Sequence, residues 1–234
     1  MNETIEVVAV AAMEEEAAPF LEGGTNAVPV DLPIGKAWHV DFAERDVIVV
    51  VTGAGLVNAV IGATHAIQQF NPRYLVSAGS AGGLAEGIYV GDVVVGTAYT
   101  YSDADASAFG YKPGQIPGMP EFYEADKKLV STAMGIRMDG QRVRQGRIVS
   151  GNTFVDSRTV DHVRETFPNA LAADMESAAL AQLAYLHELP FVSVRAISDL
   201  CGEDAAEDFE FSLSEVAQRS ANVVRHLIQT LPHD

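Results

Sequence analysis

The chain has 234 residues, 48% of them apolar, which suffices for one large globular domain and excludes an intrinsically disordered protein. A net charge of −17 repels phosphate backbones, so we expect no nucleic-acid partner. No apolar run reaches the length of a membrane span, the N-terminus is acidic where a secretion signal is basic, and the single Cys201 excludes an intramolecular disulfide. These features predict a cytoplasmic protein with no membrane association.

Apolar β-branched runs alternate with Ala-rich helical stretches along the chain. Strands are predicted, in chain order, at 5–11, 37–42, 47–52, 73–79, 92–102, 144–151, 170–174 and 191–199. Helices are predicted after the first strand and at 56–70, 124–134, 157–166, 177–188 and 212–230. This alternation predicts an α/β fold: a single three-layer α/β/α domain over residues 1–234, with a mixed, mostly parallel central sheet.

The residues that follow the predicted strands share one character: they are acidic, small or aromatic, and almost never basic. They include Met13 to Glu16, Gly79 to Gly83, Asn152 to Val155, Met175 and Glu176, and Ser198 and Asp199. Ligands of open α/β sheets bind beyond the carboxyl ends of the strands. The sequence therefore predicts a site at this edge for a small neutral or cationic molecule.

Three carboxylates are candidates for chemistry, and each has an ordinary structural explanation beside it. Asp199 directly follows an apolar strand, so burial would raise its pKa and suit it to donate a proton, or it caps the next element of the chain. Glu16 ends an acidic triplet that opens a helix. It is either a catalytic base or part of a solvated helix face. Glu176 lies with Asp174 at a strand-to-helix junction inside the Ala-rich 169–185, where capping acids are common. Two carboxylates of opposite protonation are what glycosidic hydrolysis requires.

Two further patterns argue against other chemistries. The Gly-rich run at 78–83 has neither the Lys of a nucleotide phosphate loop nor the dinucleotide-binding spacing, so its glycines either contact an anion or allow a tight turn and close ligand approach. The six histidines are scattered without metal-binding spacing. We expect no metal and no cofactor.

Together these segments resemble the nucleoside phosphorylase/hydrolase family, in particular the bacterial 5′-methylthioadenosine/S-adenosylhomocysteine nucleosidases. The similarity runs nearly end to end through 11–16, 79–84, 91–95, 103–118, 147–155, 173–181 and 190–199. It implies a nucleoside phosphorylase-like fold and hydrolysis of the N-glycosidic bond of 5′-methylthioadenosine and S-adenosylhomocysteine, and also of 5′-deoxyadenosine. The products would be adenine and the free 5-substituted ribose, as in methionine salvage.

The resemblance also implies roles around the adenine. Glu16 would be the base that activates water, and Asp199 the acid that protonates N7, held in place by Ser198. Phe154 would stack on the purine, and the backbone of Val155 would pair with its edge.

Around the sugar, the same resemblance assigns Glu176 to the ribose hydroxyls, beside the apolar Met175. Ser80 would help to hold the water or the sugar, and Arg195 would support the acidic cluster. Phe209 would close over the sugar and the 5′ group, although Phe211 could take this place because the segment after Asp199 is unusually acidic.

Family members of this kind are homodimers in which a loop of one subunit lines the other's pocket. Here that loop would be 103–118, with Phe109 and Pro117 near the 5′-alkylthio group; otherwise it is an ordinary surface loop. Tyr111 and Ile116 are expected to be exposed in it as well, which favours an interface.

Some positions depart from the family pattern, and three further functions remain open. Ser102 replaces a usual His, and "AADMES" replaces a commoner run with an additional Glu before the Met, so the preferred 5′ substituent is not fixed. A purine nucleoside phosphorylase would carry a phosphate-binding Arg where this chain has Ser77. The chain could also be an aminofutalosine nucleosidase or a non-catalytic nucleoside-binding protein, although the latter would be expected to have lost Glu16 or Asp199.

Overall fold

The computed structural model describes residues 5–42, 44–137 and 140–232, with all their side chains except that of Phe211. The strands are β1 (Val7–Ala11), β2 (Thr25–Val30), β3 (Lys36–Asp41), β4 (Asp46–Val51), β5 (Tyr74–Gly83), β6 (Val93–Tyr101), β7 (Tyr123–Glu124), β8 (Val143–Ser150), β9 (Ala170–Asp174) and β10 (Phe191–Asp199). The helices are α1 (Glu14–Gly23), α2 (Leu56–Phe70), α3 (Lys127–Met134), α4 (Val160–Thr166), α5 (Ser177–Leu186) and α6 (Ala205–Thr230).

The strands form one mixed sheet, in the order β10-β6-β8-β9-β5-β1-β4-β3-β2, and β7 pairs with β6 beside this path. Strand β10 pairs with β5 as well as with β6, so the strands β5, β10, β6, β8 and β9 close into a ring. Among the described residues, parallel and antiparallel pairings are equally frequent, five of each. The mixed sheet is confirmed, but it is parallel and antiparallel in equal measure and not mostly parallel. Two of the antiparallel pairings lie in the ring, and the other three join β2 to β3, β3 to β4 and β6 to β7.

Two groups of helices cover the sheet, in agreement with the predicted three layers. Helix α6 packs on β10, β5 and α1, and α2 packs against α5. Every residue of β1 and β10 is buried, which is typical of strands covered on both faces. No helix within the described ranges is long and apolar enough to cross a membrane.

The main differences from the sequence prediction are in strand β2, in the short strand β7, which was not predicted, and in the starts of α3 and α6. Strand β2 was not predicted, because it is an exposed edge strand of mixed composition that contains Pro29. Helix α3 begins at Lys127, after Asp126 accepts hydrogen bonds from the N–H groups of Lys128 and Leu129. Helix α6 begins at Ala205 and not at 212, since its acidic first turn favours the helix dipole although it lacks apolar periodicity.

Candidate active site

The carboxyl ends of β1, β5, β8, β9 and β10 meet at one cleft, and the start of α6 covers it. The cleft has a volume of about 370 Å³, within the range of small-molecule sites. Its walls are formed by Ala12, Met13, Glu16, Ala54, Ser80, Ala81, Gly82, Thr153, Phe154, Val155, Ala173, Asp174, Met175, Glu176, Ser198, Asp199, Ala206, Phe209 and Glu210. Five of these residues are acidic, and the described lining includes no Lys, Arg or His.

Glu16 is buried in the first turn of α1 and does not belong to a solvated helix face. Its exposed fraction is 2%, whereas its neighbours Glu14 and Glu15 are exposed. The N–H groups of Ala12 and Met13 donate to Oε2 at 2.9 and 3.3 Å. The backbone N–H and the hydroxyl of Ser80 both donate to Oε1 at 2.9 Å. Four hydrogen bonds thus fix this carboxylate at the cleft wall.

A single guanidinium lies behind the acidic wall. Arg195 is fully buried in β10, with Nε 2.7 Å from Asp174 Oδ2 and Nη2 3.6 Å from Glu176 Oε2. Burial alone would lower the pKa of Arg195, but the carboxylates of Asp174, Glu176 and Glu16 outweigh it and raise that pKa. Arg195 therefore stays charged and offsets part of the negative charge of the cleft.

Glu176 lies just before α5, and its side chain turns into the cleft without capping that helix. The N–H of Gly55 donates to its Oε1 at 2.9 Å. Burial raises the pKa of Glu176 to about 7; Arg195 opposes this rise, and the neighbouring Asp174 and Glu16 add to it. One guanidinium shared among three carboxylates does not cancel their mutual repulsion.

Asp199 ends β10 and does not cap α6, which begins six residues later with Asp204 at its N-cap position. Burial raises its pKa, as the sequence predicted, and Asp208 adds to the rise. The N–H of Cys201 donates to Oδ1 at 2.9 Å and the Ser198 hydroxyl to Oδ2 at 2.8 Å, which limits the rise and fixes the plane of the carboxyl group.

The glycines of β5 make room for these acids. A Cβ at Gly79 would lie 2.7 Å from Glu16 Oε1 and would also clash with Arg195. A Cβ at Gly82 would lie 2.5 Å from Cys201 Sγ and 3.2 Å from Asp199 Oδ1. The Gly-rich run therefore serves close approach of charged side chains to the strand.

Apolar groups form the remaining walls of the cleft. The rings of Phe154 and Phe209 meet edge to face, with centroids 6.0 Å apart. Val155 is buried against α4 in a small apolar cluster, and Met175 lines the cleft beside Glu176. Phe211, the second candidate for the closing aromatic, has a side chain that lies outside the described part of the structure.

Loop 103–118 does not contribute to the cleft of its own chain, as far as the described lining extends. A backbone hydrogen bond from Gly114 to Ala104, 2.8 Å long, closes it. Phe109 is 84% exposed and Pro117 is exposed too. The expected exposure of Tyr111 and Ile116 is wrong, because both are half-buried and Ile116 packs on the main core.

The resemblance implies that Arg195 supports the acidic cluster, but the sequence does not predict Asp174 and the serines as its partners. The sequence places Asp174 only at a strand-to-helix junction, yet this residue forms the ion pair with Arg195 and accepts hydrogen bonds from the hydroxyls of Ser150 and Ser177. The signal was present, because an Arg inside the apolar strand "FVSVRAIS" needs a buried carboxylate.

Comparisons with known proteins agree with this architecture. The sequence profile of the phosphorylase superfamily matches residues 6–229. A 5′-methylthioadenosine/S-adenosylhomocysteine nucleosidase from Staphylococcus haemolyticus is 37% identical over 95% of this chain and 98% of its own. The nucleosidase of Neisseria meningitidis, solved with methylthio-immucillin-A, has a TM-score of 0.94 at 36% identity, covering 97% of this chain and 99% of that one. The futalosine hydrolase of Helicobacter pylori has a TM-score of 0.90 at 27% identity, covering 97% and 99%.

The raised pKa of Glu176 predicts a pH-dependent stability. A carboxyl whose folded pKa exceeds its unfolded value stabilises the fold fully below the unfolded pKa, near 4.5, and loses that contribution as pH rises through about 7. Glu176→Gln cannot lose a proton. We expect its free energy of unfolding, relative to the unsubstituted protein, to increase by up to about 1.4 kcal/mol per pH unit in this window.

Urea unfolding at several values between pH 4.5 and 8 measures this difference. The matched control is Glu15→Gln, on the exposed side of the same acidic triplet as Glu16. If the unfolding free energies of Glu176→Gln and the unsubstituted protein change in parallel with pH, the raised pKa of Glu176 is contradicted.

Proposed function

The chain belongs to the phosphorylase superfamily and, within it, to the 5′-methylthioadenosine/S-adenosylhomocysteine nucleosidases, and from that premise we propose how its cleft works. The enzyme hydrolyses the N-glycosidic bond of these nucleosides, and of 5′-deoxyadenosine, to adenine and the free 5-substituted ribose. The observation that carries this proposal is that Glu16 and Asp199 lie in one cleft edged by aromatic rings. The carboxylate of Glu16 accepts four hydrogen bonds, whereas burial raises the pKa of Asp199.

Asp199 is proposed as the acid. Its raised pKa favours the protonated form, which donates to N7 of the adenine and makes the base a better leaving group. The bond between the sugar C1′ and N9 breaks, and its electron pair stays with the adenine. Phe154 stacks on the purine, the backbone of Val155 pairs with its edge, and Ser198 holds the acid in place.

The sugar side of the cleft stabilises the developing positive charge. Carboxylates close to the ribose lower the energy of an oxocarbenium-like transition state. Glu176 accepts hydrogen bonds from the ribose hydroxyls beside Met175. Glu16 takes a proton from water while the water oxygen bonds to C1′, and Ser80 helps to orient that water. Phe209 covers the sugar and the 5′ group.

Water is favoured over phosphate because the cleft, in its described lining, has no free cation for a dianion. That lining contains only acidic and neutral residues. Arg195 is committed to Asp174 and to serine hydroxyls, among them Ser77, which accepts from its Nη2 at 2.9 Å. Ser77 is the position at which related phosphorylases were expected to carry Arg. Like-charge repulsion would oppose phosphate in such a site.

Two further functions fit less well. A binding protein without catalysis has no need to keep both Glu16 and Asp199 buried beside the ligand site. The similarity to a futalosine hydrolase keeps an aminofutalosine-type 5′ group as the second candidate, at lower identity than the methylthioadenosine enzymes.

The active unit is proposed to be a cytoplasmic homodimer in which residues 1–234 of each subunit form one domain. Its reaction is proposed to serve methionine salvage. Phe109 and Pro117 of one subunit would line the 5′-alkylthio pocket of the other. The exposure of a large aromatic on a loop closed by its own hydrogen bonds supports this arrangement. The lone Cys201 is buried and unpaired by any disulfide, as a reducing compartment allows.

Product analysis tests the proposed reaction. Incubation with 5′-methylthioadenosine is expected to give adenine and free 5-methylthioribose at the same rate with and without phosphate. A rate that requires phosphate and yields the sugar 1-phosphate would establish a phosphorylase. A faster reaction with aminofutalosine would move the preferred substrate to the second candidate.

The acid and the base are tested by amide substitutions. Asp199→Asn is expected to lower kcat by about 10²–10⁴-fold while nucleoside binding persists, because an amide does not supply the proton. Glu16→Gln should also stop hydrolysis, and activity retained there would move the base role to Glu176. Steady-state kinetics of Asp204→Asn, at the exposed start of α6, provide the control. Near-normal kcat in Asp199→Asn would remove Asp199 from the mechanism.

The shared pocket is tested at Phe109. Phe109→Ala is expected to raise KM for 5′-alkylthio nucleosides more than for adenosine, because the lost contact is to the 5′ group. Tyr89→Ala removes an exposed aromatic from the loop before β6 and should leave both KM values unchanged. Light scattering that finds a fully active monomer would refute the dimer.

A further inference from the structure

A pair of buried hydroxyls lies behind the cleft and is not explained by the mechanism. Ser177 begins α5, and Ser193 lies in β10 two residues before Arg195. Both serines are completely buried, and their Oγ atoms are 2.7 Å apart. Polar groups at such depth are costly unless each is hydrogen-bonded, so the pair calls for a function.

The direction of the hydrogen bonds follows from the donors available. Ser177 donates its only hydroxyl hydrogen to Asp174 Oδ2. Ser193 must therefore be the donor in the serine pair, with Ser177 Oγ as its acceptor. The N–H of Arg195 Nε donates to both oxygens, at 3.2 Å to Ser177 and 3.1 Å to Ser193. With these donors and acceptors, both serine hydroxyl groups are hydrogen-bonded, and each has a single orientation.

This arrangement fixes the guanidinium at one end. The guanidinium is planar and rigid, so a fixed Nε fixes both terminal nitrogens. Nη2 reaches Ser77 Oγ at 2.9 Å and lies 3.6 Å from Glu176 Oε2, beyond hydrogen-bond length. The interaction with Glu176 is therefore a charge interaction, at a separation set by the ion pair of Nε with Asp174 and by the serine contacts at both ends of the guanidinium.

We propose that Ser177 and Ser193 are positioning residues that hold Arg195, and through it Glu176, in the geometry that recognises the ribose hydroxyls. This assignment rests on the proposed function, in which Glu176 binds the sugar. Neither serine is among the described residues that line the cleft, so they act by orienting the cation that orients the carboxylate. Ser77, at the other end of the guanidinium, belongs to the same set.

The test compares two substrates in each variant. The measured quantity is the ratio of kcat/KM for 5′-methylthioadenosine to that for its 2′-deoxy analogue, which does not depend on the fraction of folded enzyme. In Ser193→Ala we expect this ratio to fall about 3–10-fold, the range for one hydrogen bond. Ser177→Ala should do the same, and the double variant should fall by less than the product of the two. Ser193→Thr keeps the hydroxyl and should restore the ratio.

Two further variants keep the test decisive. Ser77→Ala removes the contact at the opposite end of Arg195. It is expected to lower the same kcat/KM ratio, and it replaces Ser193→Ala if that variant does not fold. Ser220→Ala removes an equally buried hydroxyl, whose partner is the Ala217 carbonyl in α6, and should leave the ratio unchanged. If Ser193→Ala, Ser177→Ala and Ser77→Ala all leave the ratio unchanged, because both substrates lose kcat/KM equally or not at all, the proposal is overturned. Failure of the unsubstituted protein to hydrolyse 5′-methylthioadenosine would instead refute the proposed function.

Discussion

One buried cation among three carboxylates is the constraint on which the cleft depends. Arg195 comes from β10, Asp174 and Glu176 lie at the end of β9 and just beyond it, and Glu16 comes from the start of α1, so the charges tie together three parts of the chain. Removing any buried charge from such a group leaves the others without compensation. The group keeps negative charge at the cleft wall, where the proposed mechanism places the sugar, at the cost of mutual repulsion among its acids.

Strand β5 makes that charge cluster possible by what it lacks. Without a Cβ at Gly79, the Glu16 carboxylate and the Arg195 guanidinium can both lie close against the strand, and Gly82 leaves room for Cys201 and Asp199. The same strand supplies Ser77 to Arg195 and Ser80 to Glu16. A run that looks like an anion-binding loop is thus a platform on which the protein places its own anions, and this arrangement favours water over phosphate as the nucleophile.

Elements with clear apolar periodicity could be predicted from the sequence, and elements without it could not. Helix α2 and strands β9 and β10 were predicted to the residue, because apolar periodicity and punctuation agree there. The rule that ligands bind at strand ends brought most lining residues together from the sequence alone. Edge strand β2 and the acidic start of α6 carry no such periodicity. The serine partners of Arg195 depend on pairing between distant strands, which local sequence does not encode.

The closed ring of strands has a consequence for how the protein is made. Strand β5 is complete at Gly83, but its second edge is covered only by β9 and β10, which end at Asp174 and Asp199. A chain emerging from the ribosome therefore carries an open apolar edge for roughly a hundred residues of synthesis or more before that edge is paired. Such long-range pairing slows folding, and an open edge invites association with other chains. The ring of strands that carries the cleft is therefore complete only once β10 has been synthesised.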